Sequence, residues 1–499
     1  MELFKLPLLV ISLVAFLSAP IAALERGGKR ESKSSGPLEM DSTIFSRHLL
    51  KDSQPQKVES LSHGYMSNAA LEEAISEIGQ RCGHISNIYS IGKSVKGFPL
   101  LVIEISDKPG QEEAEPAFKF TATVQCVLTV TEELFIGNVH GDEPVGRELL
   151  VRLANWLCNN YMKDPLATLI VNNVHLHILP SMNPDGFDMR RRGNANNVDL
   201  NRDFPDQFYP LNDGLAQRQP ETKAIIKWVE GRKFTASASL HGGALVANYP
   251  WDGVQDGSSR KEYFACPDDK TFRYMASVYS RSHYNMSLSK EFEGGIVNGA
   301  LWYPIYGGMQ DWNYINGGCF ELTLEISDEK WPKADELPTL FEYNRISMLN
   351  LVASLVKSGI HGRIFASNNG GPLPASVIIK GSDYGVNASR IFGDFHRMLA
   401  PHESYEVAAS MPGFKSKTTK ISLGIKLLFS YHSPYIRIIP VLSTKEERNF
   451  QVPETKATTR TKEPHFSSMI FSIELQATNV NTIPSPYCFV RLLIIRLHC

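Results

Sequence analysis

From about Gly64 onward the chain alternates strand-like and helix-like segments, and this restricts the fold more sharply than anything else in the sequence. VNNVHLHILP puts Val174, Leu176 and Ile178 on one face and His175 and His177 on the other, the period of a strand. PETKAIIKWVEG has a proline start and the apolar spacing of a helix, and the TASASL that follows reads as a strand ending at His241-Gly242-Gly243. In CFELTLEIS, Phe320, Leu322, Leu324 and Ile326 share one face, while Glu321, Thr323, Glu325 and Ser327 share the other. Such alternation is the signature of an α/β domain with a mostly parallel sheet. Several polar residues fall at strand ends, where open α/β sheets place their ligand crevice.

At 499 residues the chain exceeds what one core usually organises, so two domains with flanking segments are expected. Its 42% apolar and 21% charged residues exclude a largely disordered, collagen-like or multi-span membrane chain. A net charge of -2 leaves no electrostatic footprint for nucleic acid. Lys5, the apolar run Leu6 to Leu17 and the small residues around Ala19 to Ala23 make 1–23 a signal peptide, which points to the secretory pathway or an extracellular location. An uncleaved membrane anchor is the alternative. Residues 24–61 lack periodicity and read as a flexible leader. Short β-like runs broken by turn residues predict a small β-sandwich over 358–430. The tail, 431–499, reads as irregular; its final CFVRLLIIRLHC is too short and too basic to span a bilayer. Seven scattered cysteines do not form a disulfide scaffold, although a Cys266–Cys319 bridge is open. The sequons at Asn285 and Asn387 permit N-glycosylation.

NVHGDEPVGRELL, from Asn138, puts His140 and Glu143 three positions apart at a strand-to-helix junction: after Pro144, the residues Leu149, Leu150, Leu153, Trp156 and Leu157 recur at helical spacing. A hydrolytic zinc takes three His or carboxylate ligands and keeps a position for water. His241, ending another strand, is the natural third ligand, whereas His175 and His177 lie mid-strand and read as packed, hydrogen-bonded residues. HxxE by itself is more often a surface pair than a metal pair.

The other motifs change that balance. NPDG at Asn183–Gly186, RGNANNVDLNRDFPD from Arg192, HGG at His241, WYPIYGGMQDWNY and TLEIS together resemble the zinc metallocarboxypeptidases, specifically the regulatory branch of carboxypeptidases D, E, N and M, over about 62–425. The sequence looks most like a plant carboxypeptidase D-like member with one catalytic domain. The resemblance implies a mixed-sheet α/β catalytic domain, 62–357, followed by a transthyretin-like β-sandwich, with one Zn²⁺ per catalytic domain. It assigns His140, Glu143 and His241 as zinc ligands and Glu325 as general base. Arg192 would polarise the scissile carbonyl, and Asn201 and Arg202 would clamp the substrate's terminal carboxylate. Tyr303 would close over the bound residue, with Trp302 and Tyr306 as packing neighbours. Asp252 and Gln310 would select C-terminal Lys or Arg. The expected partners are peptides or proproteins with such termini, acted on by a monomer.

Two departures from the family pattern stand out. Thr121–Phe135 intervenes in the strand that delivers His140; register survives if Glu133-Leu134-Phe135 replaces Phe118-Lys119-Phe120, at the loss of an apolar residue where Glu133 takes the place of Phe118. Past Leu423 the last sandwich strands are no longer recognisable. The insertion leaves open a second reading, a non-catalytic peptide-binding or chaperone-like member. A zinc amidase or deglutamylase suits Asn201, Arg202 and Asp252 less well.

Overall fold

The computed structural model describes residues 64–111, 131–209 and 215–424, with the backbone of 437–438 and 441–442. The signal-peptide and leader segments, most of the insertion and most of the tail lie outside the described residues.

The helices of the larger part are α1 (Asn68–Arg81), α2 (Val145–Asn160), α3 (Pro165–Val171), the short α4 (Pro184–Asp188), α5 (Pro220–Gly231), α6 (Asp269–Ser282), the short α7 (Gly299–Trp302) and α8 (Met309–Trp312), and α9 (Leu337–Lys357). The strands are β1 (Ser86–Lys93), β2 (Pro99–Ile105), β3 (Thr131–Gly137), β4 (Val174–Leu179), β5 (Ala236–His241), β6 (Ala244–Tyr249), β7 (Ile296–Asn298) and β8 (Phe320–Ser327). They form one eight-stranded sheet in the order β1-β2-β4-β3-β5-β8-β6-β7. The central β4, β3, β5 and β8 are parallel, while β1 and β2 on one side and β6 on the other run antiparallel to their inner neighbours. The sheet is therefore mixed, where alternation alone suggested a mostly parallel one. The chain reverses direction over the short connections between β1 and β2 and between β5 and β6, which leave no helical period in the sequence.

Helices cover both faces, so β4, β5 and β8 are buried throughout. In α2, begun after Pro144, Leu149, Leu150, Leu153 and Leu157 are fully buried, each side chain contributing roughly 1.5–3 kcal/mol. On the opposite face Leu134 and Ile136 pack with Ile225 and Trp228 of α5. Helices α1 and α2 lie side by side, and Cys82 and Cys158 near their C-terminal ends are joined at a Cα separation of 5.9 Å. This replaces the Cys266–Cys319 bridge left open by the sequence. Both of those thiols are free and buried, and Cys319 Sγ is turned toward Ser237 Oγ at 3.2 Å.

The departure at β3 has a clear structural result. Glu133 pairs in register with Leu176 and Ala236, on the same face as Phe135, and is fully buried. Among the described residues neither carboxylate oxygen has a hydrogen-bond partner.

Beyond α9, strands β9 (Ile360–Arg363), β10 (Phe365–Ala366), β11 (Ser376–Ile379), β12 (Gly385–Asn387), β13 (Asp394–Arg397), β14 (Ser404–Ser410) and β15 (Lys417–Ser422) surround a separate apolar cluster that includes Ile360, Val377, Phe395 and Val407. Two-residue strands β16 (Arg437–Ile438) and β17 (Val441–Leu442) pair parallel with β9 and β10. Buried Arg397 anchors this region to the larger one through Asp268 Oδ2 at 2.8 Å. Among the described residues no helix is long and apolar enough to cross a membrane. Asn285 and Asn387 are both exposed.

Candidate metal centre and substrate cleft

The site forms where β3, β5 and β8 end. After Gly137, Asn138 adopts a left-handed backbone (φ 53°), and its Nδ2 donates to the His140 carbonyl at 2.8 Å while its Oδ1 accepts from Ser181 Oγ. This tight turn interlocks with NPDG, because a Cβ on Gly141 would stand 2.0 Å from the Gly186 backbone. Only glycine permits that approach. The Glu143 N–H donates to the His140 carbonyl at 3.1 Å, and α2 starts two residues later. On the neighbouring strands, His241 of β5 and Glu325 of β8 are register partners and so share a face.

Three donor atoms converge. His140 Nδ1 and His241 Nδ1 each lie 2.9 Å from Glu143 Oε2 and 3.1 Å from one another, and all three residues are buried. His140 Nε2 faces Asp199 Oδ1 at 3.1 Å. A carboxylate only accepts, so a neutral His140 that donates to Asp199 turns a lone pair toward Glu143. A cation between the donors resolves that repulsion. Around a tetrahedral zinc with bonds of about 2.0–2.1 Å, ligand atoms stand roughly 3.3 Å apart, close to the separations here. The donor set therefore fits Zn²⁺, with His140, Glu143 and His241 able to hold it.

A cleft of about 140 Å³ opens beside these residues, lined also by Arg192, Asn201, Arg202, Asp252, Tyr303, Glu325 and Lys330. Glu325 is buried, its Oε2 has no hydrogen-bond partner, and burial followed by the nearby Glu143 charge pushes its pKa well above the usual glutamate value. Arg192 donates from Nε to Asp199 Oδ2 at 2.8 Å and from Nη1 to Glu143 Oε1 at 3.4 Å. Asn201 and Arg202 lie on a single 3₁₀ turn capped by Asp199, whose Oδ1 accepts from the Asn201 N–H at 2.9 Å. Asn201 Oδ1 accepts from the Met309 N–H, and Arg202 donates to the Asn201 carbonyl at 2.7 Å. Tyr303 stands at the cleft, 42% exposed, with its ring edge-on to Trp302. Tyr306 instead donates to the Ser258 carbonyl and packs against Tyr209.

Asp252 is buried at the cleft wall, and Gly299 and Gly308 leave room for its carboxylate. Its Oδ1 accepts from Asn248 and Gln310 at 3.1 and 2.9 Å. Burial raises its pKa to about 6. Gln310 does not line the cleft; its Oε1 accepts from the Thr323 N–H at 2.7 Å, so both ends of its amide are used behind Asp252.

Sequence reasoning passed over two residues of the site. Asp199 lies within the quoted DLNRD motif, and its signal was that of a turn-capping acid two positions before Asn201. It contacts the His140 imidazole, Arg192 and the Asn201 amide together. Burial acts to raise its pKa, but His140 and Arg192 outweigh that and hold it well below the usual range. Lys330 donates to Glu143 Oε1 at 2.6 Å and to Asp142 at 3.3 Å from a loop whose sequence carries no periodic signal.

Residues 71–347 match the peptidase M14 family, described as zinc carboxypeptidase. The chain is 61% identical over 417 residues to carboxypeptidase SOL1 of Arabidopsis thaliana, covering 84% of this chain and 81% of that one. It is 37% identical over 389 residues to mouse carboxypeptidase M, covering 73% and 82%, and 40% identical over 390 residues to carboxypeptidase D of Anas platyrhynchos. The last match takes in 72% of this chain but 26% of the relative, so the chain spans about a quarter of that protein. Carboxypeptidases E and N are among the other relatives, and with them the regulatory branch. The chain belongs to the zinc carboxypeptidase family, whose metal is Zn²⁺.

Proposed function

We propose that this protein is a secretory-pathway metallocarboxypeptidase that removes C-terminal Lys or Arg from peptides or proproteins. The observation that carries the basic preference is Asp252, a carboxylate buried in the wall of a cleft that also holds Asn201, Arg202 and Glu325. In this reading Asn201 and Arg202 hold the terminal carboxylate, where a guanidinium supplies both charge and direction and restricts cleavage to the last peptide bond. The basic side chain then reaches Asp252, which Gln310 and Asn248 orient from behind. Arg192 stabilises charge developing on the scissile carbonyl oxygen. Glu325 takes a proton from the attacking water and delivers it to the departing amine. Tyr303 closes over the bound residue. Bound Zn²⁺ would acidify that water and polarise the carbonyl.

The same proposal includes a signal peptide at 1–23, a leader at 24–61, a catalytic domain at 62–357, a transthyretin-like domain at 358–430 and glycans on Asn285 and Asn387. The non-catalytic alternative called for a lost ligand or a lost base. His140, Glu143, His241 and Glu325 are all present, so it is not favoured.

Hydrolysis of matched peptides ending in Arg, Lys or Phe tests the reading. Release of Arg and Lys, abolished by a chelator and restored by zinc, is the expected outcome. Asp252→Ala should reduce cleavage of the Arg and Lys peptides selectively. An equal loss on all three peptides would remove Asp252 from the specificity role, and no release by folded, zinc-loaded protein would bring the binding-protein reading forward.

A further inference from the structure

Toward the opposite end of the central strands lies a second group of two histidines and a glutamate. Glu104 of β2 is the register partner of His177 on β4, and His175 lies two positions earlier on the same face. All three are buried, and one donor atom from each lies within 4.8 Å of one from each of the others. We propose that Glu104, His175 and His177 form a second divalent-cation site of the zinc class, separate from the cleft.

Mid-strand histidines are ordinarily packing residues, so the proposal rests on how their polar atoms are arranged. His177 is fully buried, and its Nδ1 meets the Tyr89 hydroxyl at 2.9 Å. That hydroxyl oxygen also accepts from Trp228 Nε1 at 3.1 Å. The other ring nitrogen, Nε2, has no hydrogen-bond partner among the described residues. Glu132 Oε2 lies 3.9 Å from it, too far away for a direct hydrogen bond, and is without a hydrogen-bond partner among the described residues. A histidine that binds metal commonly gives its other N–H to an outer acceptor that fixes the ring, and Tyr89 is placed to be that acceptor. On the other side, Glu104 Oε1 lies 3.4 Å from His175 Nδ1 and accepts from the Gly110 N–H, while Oε2 accepts from Asn87 at 3.0 Å.

Two imidazoles with one carboxylate repeat the donor chemistry of the family's zinc site. Glu132 is 29% exposed, and Arg232, 3.8 Å from Glu132 Oε1, is a nearby cation that opposes occupancy.

The test is zinc stoichiometry by equilibrium dialysis and metal analysis on the full chain. Wild type should bind two zinc ions, the His140→Ala/His241→Ala variant one, and Glu104→Gln/His175→Gln one. Retention of the first ion by the last variant also shows that it is folded. A thermal melt of His140→Ala/His241→Ala should shift upward with zinc, and that shift should vanish when Glu104→Gln is added. Glu132→Gln, a one-atom change at the solvent edge, covers the case in which the core variants fail to fold; it should weaken the second ion by about 10-fold while sparing the first. One zinc per folded wild-type chain, or a second ion indifferent to Glu104→Gln/His175→Gln and to Glu132→Gln, overturns the proposal.

Discussion

Glu133 and Glu143 lie ten positions apart, one within β3 and the other just past its exit, and both are buried. Their surroundings differ completely. Glu143 meets two imidazoles, Arg192, Lys330 and the Gly242 N–H. Glu133 pairs in the sheet with Leu176 and Ala236, and among the described residues both of its oxygens go without a partner. Burial raises the pKa of each group. At Glu143 the two histidines outweigh burial and hold it well below the usual value, whereas at Glu133 burial dominates and the value stands well above. Burial alone therefore does not make a carboxylate functional. What decides is whether the fold brings donors or cations to it.

Glu325 is the sharpest test of that distinction, since it too is buried with a raised pKa but shares its cleft with Arg192 and Lys330. Glu325→Gln should lower kcat/KM on Arg and Lys peptides by about 10²–10⁴-fold, the range for losing a general base, with zinc content unchanged. Unchanged turnover would place Glu325 with Glu133 as a buried acid without a chemical task. A smaller effect is expected one step outward. Asp199→Asn removes the charge behind His140 and should weaken zinc binding by about 10–100-fold, read by competition against a chelator. If affinity held, the company that matters would end at the three ligands.

The sequence made some of this legible and hid the rest for physical reasons. Strand alternation placed His241 at a strand end and Glu325 on the polar face of its strand, because apolar period is set locally, and the fold puts them in register. HxxE became meaningful only beside the other motifs. Asp199 stayed hidden because a capping acid and an outer partner of a ligand look alike in one dimension. Lys330 sits on a loop, where no period exists to read. The Cys82–Cys158 pairing depends on α1 packing against α2, and cysteine spacing carries no such information. The antiparallel flanks of the sheet were visible only through family resemblance.

Glu133 was the opposite case, since the inserted segment announced that an acid would replace an apolar residue facing the core. The smallest predicted effect follows from it and sets the lower limit of the comparison. Glu133→Leu should stabilise the protein, because it removes a polar group buried without a hydrogen bond, at about 1–3 kcal/mol from mutational precedent. The gain should depend on pH in a definite direction. A glutamate whose folded pKa is raised binds its proton more tightly folded than unfolded, so wild-type stability falls as pH rises above the unfolded value of about 4.3. The difference in Tm between Glu133→Leu and wild type should therefore be small near that pH and widen toward neutral and alkaline conditions, while carboxypeptidase activity is retained. A pH-independent difference would mean that an unmapped partner satisfies Glu133 and that it belongs beside Glu143 after all. A difference that widens as predicted leaves the two glutamates as opposite uses of the same burial, one held charged by its neighbours and the other held neutral by their absence.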